Sequence, residues 1–398
     1  MLPPLLHHSG FRRFFTGRAI SLFGSAMAPV ALAFAVLDGS GRAADLGVVL
    51  ALRTLPMLAF LLLGGAIADR LPRRTVLLTT HLGAGLTQGA VAALLLTGHY
   101  ALGPIAALEF LNGLLTAFTS PALVGVLPEL VPREQLRPAN ALLGIAANGS
   151  KVFGPALAGL LVASAGAGWA VAVDALSYLP AALCLARLPA GRIRSQRAAL
   201  LPELREGWTA FRRTRWIWWT TWSYCATNLL LTGPWQILGP QLSGPALWGT
   251  LLGARGAGLL LAGAVLYRLA LPRLLAAGQL AGLALPLPLL ALGLHATVPW
   301  LVAAALVAGL GSALASTAWD TSLQEHLPAD VLSRVASHAD VFSYLAIPLG
   351  QLACGPLAAH YGPHTVAATT ALAQAALTLL PLLAPSVRTL PHGRPAVA

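Results

Sequence analysis

Uninterrupted apolar blocks recur along this chain, Leu55 to Ala68 among them, and they fix its solvent before any motif is considered. Only 10% of the 398 residues are charged and 57% are apolar, with a mean hydropathy of +0.74. A soluble domain carries about 25% charge, so a globular enzyme with a membrane tail is excluded. A transmembrane barrel reads as alternating segments of about ten residues, a pattern these continuous blocks do not have. Each spanning helix needs roughly 20 apolar residues. The sequence accommodates twelve, near 17–38, 45–68, 75–97, 101–124, 139–163, 168–186, 217–241, 248–267, 274–294, 298–319, 333–358 and 365–385. Joints such as Asp38-Gly39-Ser40-Gly41-Arg42 and Gly362-Pro363-His364 are built from turn formers.

The net charge of +12 points to a membrane orientation and not to nucleic acid, because the bases cluster on one side. With the N-terminus cytoplasmic, the inner loops hold Arg70, Arg73, Arg74, Arg133, Arg187, Arg212 and further arginines, while the outer loops hold Arg42. That asymmetry is the positive-inside rule. The even span count returns Arg388 and Arg394 to the same side, so both termini are expected in the cytoplasm. Every base but Lys151 is Arg in an Ala/Gly/Pro-rich chain, which fits a GC-rich bacterial genome and hence a bacterial plasma membrane. The run from Arg12 to Asp38 is too long for a cleaved signal, and the three cysteines have no ligating or disulfide spacing.

The longest polar stretch lies midway and divides the chain into 1–186, a cytoplasmic linker 187–216, and 217–398. Within the linker Leu201, Leu204, Trp208 and Phe211 recur at helical spacing opposite Arg205, Glu206, Arg212 and Arg213, as in an amphipathic helix on the membrane surface. A solvated linker is the plainer reading. The flanking halves repeat each other. Gly65-Ala66-Ile67-Ala68-Asp69-Arg70-Leu71 matches Gly263-Ala264-Val265-Leu266-Tyr267-Arg268-Leu269, Glu129 to Leu136 matches Glu325 to Leu332, and Arg53 matches Arg255. The expected fold is therefore an all-α integral membrane protein, twelve transmembrane helices in two pseudo-symmetric six-helix bundles, the parallel-repeat plan of one class of secondary transporter.

The segment Gly65-x-x-x-Asp69-Arg70-x-x-Arg73-Arg74 resembles the loop signature of the major facilitator superfamily, with Pro72 at a usual Gly and Tyr267 replacing the acid in the second copy. The phrases Ser21-Leu22-Phe23-Gly24-Ser25, Leu127-Pro128-Glu129-Leu130-Val131-Pro132 and Ala139-Asn140-Ala141-Leu142 resemble its macrolide-efflux and secreted-metabolite exporters. The resemblance implies that Gly65, Asp69, Arg70, Arg73 and Arg74 form a latch between two bundle orientations; topology anchoring is the alternative. Gly154-Pro155-x-x-Ala158-Gly159 is similar to the end of the antiporter signature, a kink where small residues let helices slide.

A charge in lipid costs about 2.5–3.5 kcal/mol on insertion scales and normally faces a cavity or partner. Arg53, Asp174 and Arg255 are expected on the order of 10 Å from the outer helix ends, with Glu109 slightly deeper, and opposite charges at one depth suggest pairing. Glu109, Asp174 and Asp340 are the proton-coupling candidates. Glu109 ranks first because the resemblance places span four at the central cavity, while the basic residue that drug exporters carry on that span is absent. Asp174 reads as chiefly structural. Arg53, Lys151 and Arg255 are the buried basic or substrate-binding candidates, and Asn112, Asn148, Trp235, Gln236, Trp319 and Gln351 are cavity candidates.

No zinc, nucleophile-elbow or phosphate-loop motif is present. The expected protein is not an enzyme, uses no metal or cofactor, binds no nucleic acid, and works as a monomer in the lipid bilayer, moving a small molecule outward against protons. An uptake symporter of the same fold and a non-transporting scaffold or sensor are the alternatives. In a background without native cysteines, a cysteine at Ser195 should resist an impermeant thiol reagent added to intact cells, while one at Ser40 or His360 should react. External labelling at Ser195 would reverse the orientation.

Overall fold

Inside a bilayer every backbone N–H and C=O has to be satisfied by the chain itself, and a helix does so within one segment. The computed structural model obeys this: it describes residues 9–68, 72–132, 135–187, 208–266 and 271–392, and all regular structure among them is helical. The first half comprises α1 (Ser9–Ser40), α2 (Ala43–Ala68), α3 (Arg73–Leu96), α4 (Leu102–Leu130), α5 (Leu136–Ala165) and α6 (Ala167–Ala186). After a turn of helix at 208–213 come α7 (Arg215–Thr227), a π-helical turn (Asn228–Thr232), α8 (Gly233–Ser243) and α9 (Pro245–Leu266). α10 (Leu274–Ala281) and α11 (Leu287–Gly293) form one passage through a 3-10 turn at Gly282–Ala284. The rest is α12 (Val298–His326), α13 (Ala329–Tyr344), α14 (Ala346–Tyr361) and α15 (Pro363–Leu379).

Nine stretches among the described residues are long and apolar enough to cross a membrane. The other three expected spans are also helical. α3 carries Thr79, Thr80, His81, Thr87 and Gln88 in its middle, and the α7–α8 passage is interrupted by the π turn. The first helix starts eight residues before its expected boundary because Phe11 and Phe14 are buried while Arg12 and Arg13 on the same turns are exposed. Large apolar side chains such as Leu86, Ile145 and Leu183 are exposed, the outward face that lipid rather than water requires.

The contacts divide the chain into two units. The first is Met1–Arg197 with Gly244–Gly253; the second is Ala198–Ser243 with Ala254–Ala398. In the first, α1 packs on α5 and α6, α2 on α4, and α3 on both α4 and α6. Its densest apolar cluster joins Phe11, Phe14, Leu77, Val126 and Leu127. In the second, α10 packs on α12, α11 on α15 and α8 on α14. Its cluster joins Phe211, Trp216, Ile217, Leu275, Trp319 and Leu323. Of the expected amphipathic linker helix, Leu201 and Leu204 lie outside the described residues; Trp208, exposed, stacks on Phe211, which is wholly buried in that cluster.

Small residues set the helix crossings, as packing in lipid demands. A side chain at Gly113 would strike the carbonyl of Arg53, and one at Gly309 would strike the carbonyl of Arg255. α2 thus lies close against α4, and α9 against α12, each at an arginine.

Candidate functional site

The α2–α4 crossing carries a buried charge network. Glu109 on α4 has no exposed surface, and its Oε2 lies 3.0 Å from Nη1 of Arg53 on α2. Its Oε1 accepts a 2.8 Å hydrogen bond from Nε2 of Gln88 on α3. One turn away, Asn112 donates to the hydroxyl of Thr87 at 3.2 Å. Three helices therefore converge on one carboxylate, and both of its oxygens are satisfied. Arg53 thus pairs with Glu109, the acid expected slightly deeper, and not with Asp174, the acid expected at its own depth.

Asp174 on α6 differs. It is 1% exposed, and neither of its carboxylate oxygens has a hydrogen-bond partner among the described residues. Gly24 lets α1 close on this position: a Cβ there would run into Ser177 and lie 3.1 Å from Oδ1 of Asp174. Tyr178, one turn on, shares a 3.0 Å hydrogen bond with Ser25 of α1 and meets His81 of α3 edge to face. α3 packs on both α6, which carries Asp174, and α4, which carries Glu109.

The remaining candidates separate. Lys151 and Asn148, three residues apart on α5, are both exposed and stand apart from the buried network. Asp340 on α13 is exposed too. Trp319 is 8% exposed and packs edge to face against Trp216 and Tyr224, which makes it core of the second unit and not a cavity wall. Gln351 donates to Gln236 at 2.7 Å, joining α14 to α8, while its own Oε1 is buried without a partner among the described residues. Trp235, beside Gln236, lies under the guanidinium of Arg255, 6.0 Å from the ring centre. In the loop signature Gly65 falls within α2, Asp69 and Arg70 lie outside the described residues, and Arg73 and Arg74 open α3 behind Pro72, half-buried.

In the antiporter-like segment, Pro155 sits inside α5; a Cβ at Gly154 would meet Ala26 of α1, and within the first unit Gly159 is packed against the backbone of Pro245 and Gly249. A cavity of 530 Å³ in that unit is lined by Phe14, Arg18, Leu22, Leu127, Asn140 and Leu143, among others. Sequence reasoning missed Gln88, Thr87, Tyr178 and Ser25. Their signal was polarity inside otherwise apolar spans, which alone does not reveal which acid each one serves.

The described helices make the twelve passages expected of a multi-span membrane protein, nine of them long and apolar enough to cross a bilayer. The pattern of one family, described as transmembrane secretion effector, matches residues 2–394, and the chain belongs to it. These are transporters and not enzymes. Macrolide efflux protein A of Streptococcus pyogenes is 28% identical over 212 residues, 52% of each chain. Enterobactin exporter EntS of Salmonella typhimurium is 30% identical over 186 residues, 46% of this chain and 45% of its own. The chain thus spans about half the length of the curated relatives it matches. Among solved structures, nucleoside transporter NupG superposes with a TM-score of 0.75 at 12% identity, over 94% of this chain and 98% of that one. A bacterial homologue of the iron transporter ferroportin, inward-facing, gives 0.71 at 18%, over 94% and 98%. At such identities the likeness is one of fold.

Removing one partner of a buried ion pair leaves the other uncompensated. Glu109→Gln is therefore expected to destabilise the protein by about 3 kcal/mol, read as a fall in melting temperature in detergent. Arg53→Met with Glu109→Leu should recover most of the loss. Equal instability of the single and double variants would remove the pair from the account.

Proposed function

We propose that the chain is a proton-coupled exporter of a small amphipathic molecule, working by alternating access as a monomer in the bacterial plasma membrane with both termini cytoplasmic. The observation that carries the coupling is Asp174, a buried carboxylate with both oxygens unpartnered among the described residues, in the same unit as an arginine already held by Glu109. An ionisable group placed so deep in a transporter is a functional site by default.

Charge balance supplies the mechanism. Arg53 offsets one negative charge, and Glu109 takes that charge in a 3.0 Å contact. A second carboxylate at Asp174 leaves the group one negative charge in surplus, and a proton on Asp174 removes it. Proton gain and loss at Asp174 therefore switches the net charge of the cluster without breaking the Arg53–Glu109 pair, whereas titrating Glu109 would cost that contact and the bond from Gln88. This reverses the order expected from sequence, in which Glu109 came first. Asp174 takes a proton when open to the outside and releases it when open to the inside, while cargo moves the other way. Two relatives, a macrolide efflux protein and an enterobactin exporter, support export over uptake, and the arginine-rich loops support the orientation.

In proteoliposomes, Asp174→Asn is expected to lower pH-gradient-driven accumulation at least tenfold while substrate exchange without net proton movement continues. Gradient-driven accumulation by Asp174→Asn at the wild-type level would overturn the assignment. Accumulation that follows an inward and not an outward cargo direction would replace export by uptake.

A further inference from the structure

The two units repeat one geometry with different charges. Gly113 passes the carbonyl of Arg53 as Gly309 passes that of Arg255. Gly166 precedes α6 at φ 93° and Gly362 precedes α15 at φ 86°, two glycines in the same left-handed conformation at matching places. These landmarks put the acids of the first unit in register with the second. Glu109 stands one turn before Gly113, and the residue one turn before Gly309 is Ala305, wholly buried. Asp174 is the eighth residue after Gly166, and the eighth after Gly362 is Thr370, whose hydroxyl bonds back to the carbonyl of Val366 at 2.7 Å. The second unit has kept the arginine and lost both acids.

Arg255 is thereby left with weak partners. It is half-buried, ten residues into α9 and so about 15 Å along the helix, away from the interface where lipid headgroups lie. Among the described residues it meets no carboxylate. Its Nη2 donates to the Ser312 hydroxyl at 3.3 Å, and its guanidinium lies 6.0 Å from the centre of the Trp235 ring. An arginine has five N–H donors in a planar fork that matches a carboxylate. One is spent on a neutral hydroxyl, and the Trp235 ring lies at the outer reach of a cation–π contact. An intramembrane cation normally faces a partner or a cavity, and here the described residues provide no anionic one.

We infer that Arg255 is the substrate-recognition cation of the second unit and that the cargo is an amphipathic organic acid whose anionic oxygens take the place Glu109 fills in the first unit. This deepens the export reading and rests on it for the word cargo. The first unit neutralises its arginine permanently; the second leaves its arginine to be neutralised by what it carries.

The test uses 1-naphthaleneacetate and its neutral amide, with 1-naphthylmethylamine as the cation. Equilibrium binding and gradient-driven flux are measured on the full-length protein in phosphatidylcholine vesicles, which hold no anionic headgroup. Wild type should bind the acid at least tenfold more tightly than the amide. Arg255→Gln should abolish the preference and Arg255→Lys should keep part of it. Ala305→Glu, which supplies the missing internal carboxylate, should abolish it as well; if that variant does not run as a folded monomer, the Arg255 pair decides. Equal binding of acid and amide, a preference that survives Arg255→Gln, or no binding of any probe overturns the inference. Arg255-dependent binding of the acid without flux would sustain the anion site and sink the export reading. Flux of the amide or amine that is indifferent to Arg255 would do the reverse. A preference that emerges only when anionic lipid is added would assign the contact to a headgroup and overturn the inference.

Discussion

A charge placed in lipid must be neutralised where it stands or put to use, and the 3.0 Å contact between Arg53 and Glu109 is where the chain meets that demand most completely. The pair ties α2 to α4, and Gln88 brings in α3. Gly113 allows the approach by leaving room at the arginine's own carbonyl. With Glu109 committed to this role, Asp174, buried in the same unit, is the acid left to change its charge, and the proposed coupling follows from that division.

The second unit shows the same backbone arrangement serving another end. Gly309 repeats the close approach to an arginine carbonyl, but Ala305 and Thr370 stand where the acids would be. Polar organisation moves elsewhere. A π turn at Asn228–Thr232 lets Asn228 donate to the carbonyl of Ser343 at 3.0 Å, Thr232 donates back to the Asn228 side chain, and Gln351 bridges to Gln236. Such turns recur at functional sites, and here the turn leads into the helix that carries Trp235. One half thus pairs its arginine with an acid of its own, and in the other the arginine meets only a hydroxyl and a ring among the described residues.

Much of this was legible in the sequence, for reasons that are local. Apolar run length and turn residues placed the helices, since a span has to bury about 20 residues in a row. Several helices overrun their expected ends, α1, α4 and α12 among them, because buried side chains such as Phe11, Leu127 and Leu323 continue the packed face. Similar depths suggested that Arg53 pairs with an acid, without saying which one. What could not be read was satisfaction. Whether an acid's oxygens find partners depends on Gln88 arriving from α3 and on α1 closing over Asp174 at Gly24, contacts between segments distant in sequence. The same limit made Trp319 read as a cavity residue, because an aromatic ring in a span looks alike whether it faces a cavity or, as here, Trp216 and Tyr224.

The central claim is that of two buried acids one is permanently paired and the other exchanges a proton. Infrared difference spectra of the reconstituted protein across a pH step observe carboxyl protonation directly. The account predicts a pH-dependent band of a protonated, buried carboxyl group that is missing in Asp174→Asn and retained in Glu109→Asp, which keeps an acid opposite Arg53. A band that persists in Asp174→Asn and moves or vanishes with substitution of Glu109 would contradict it.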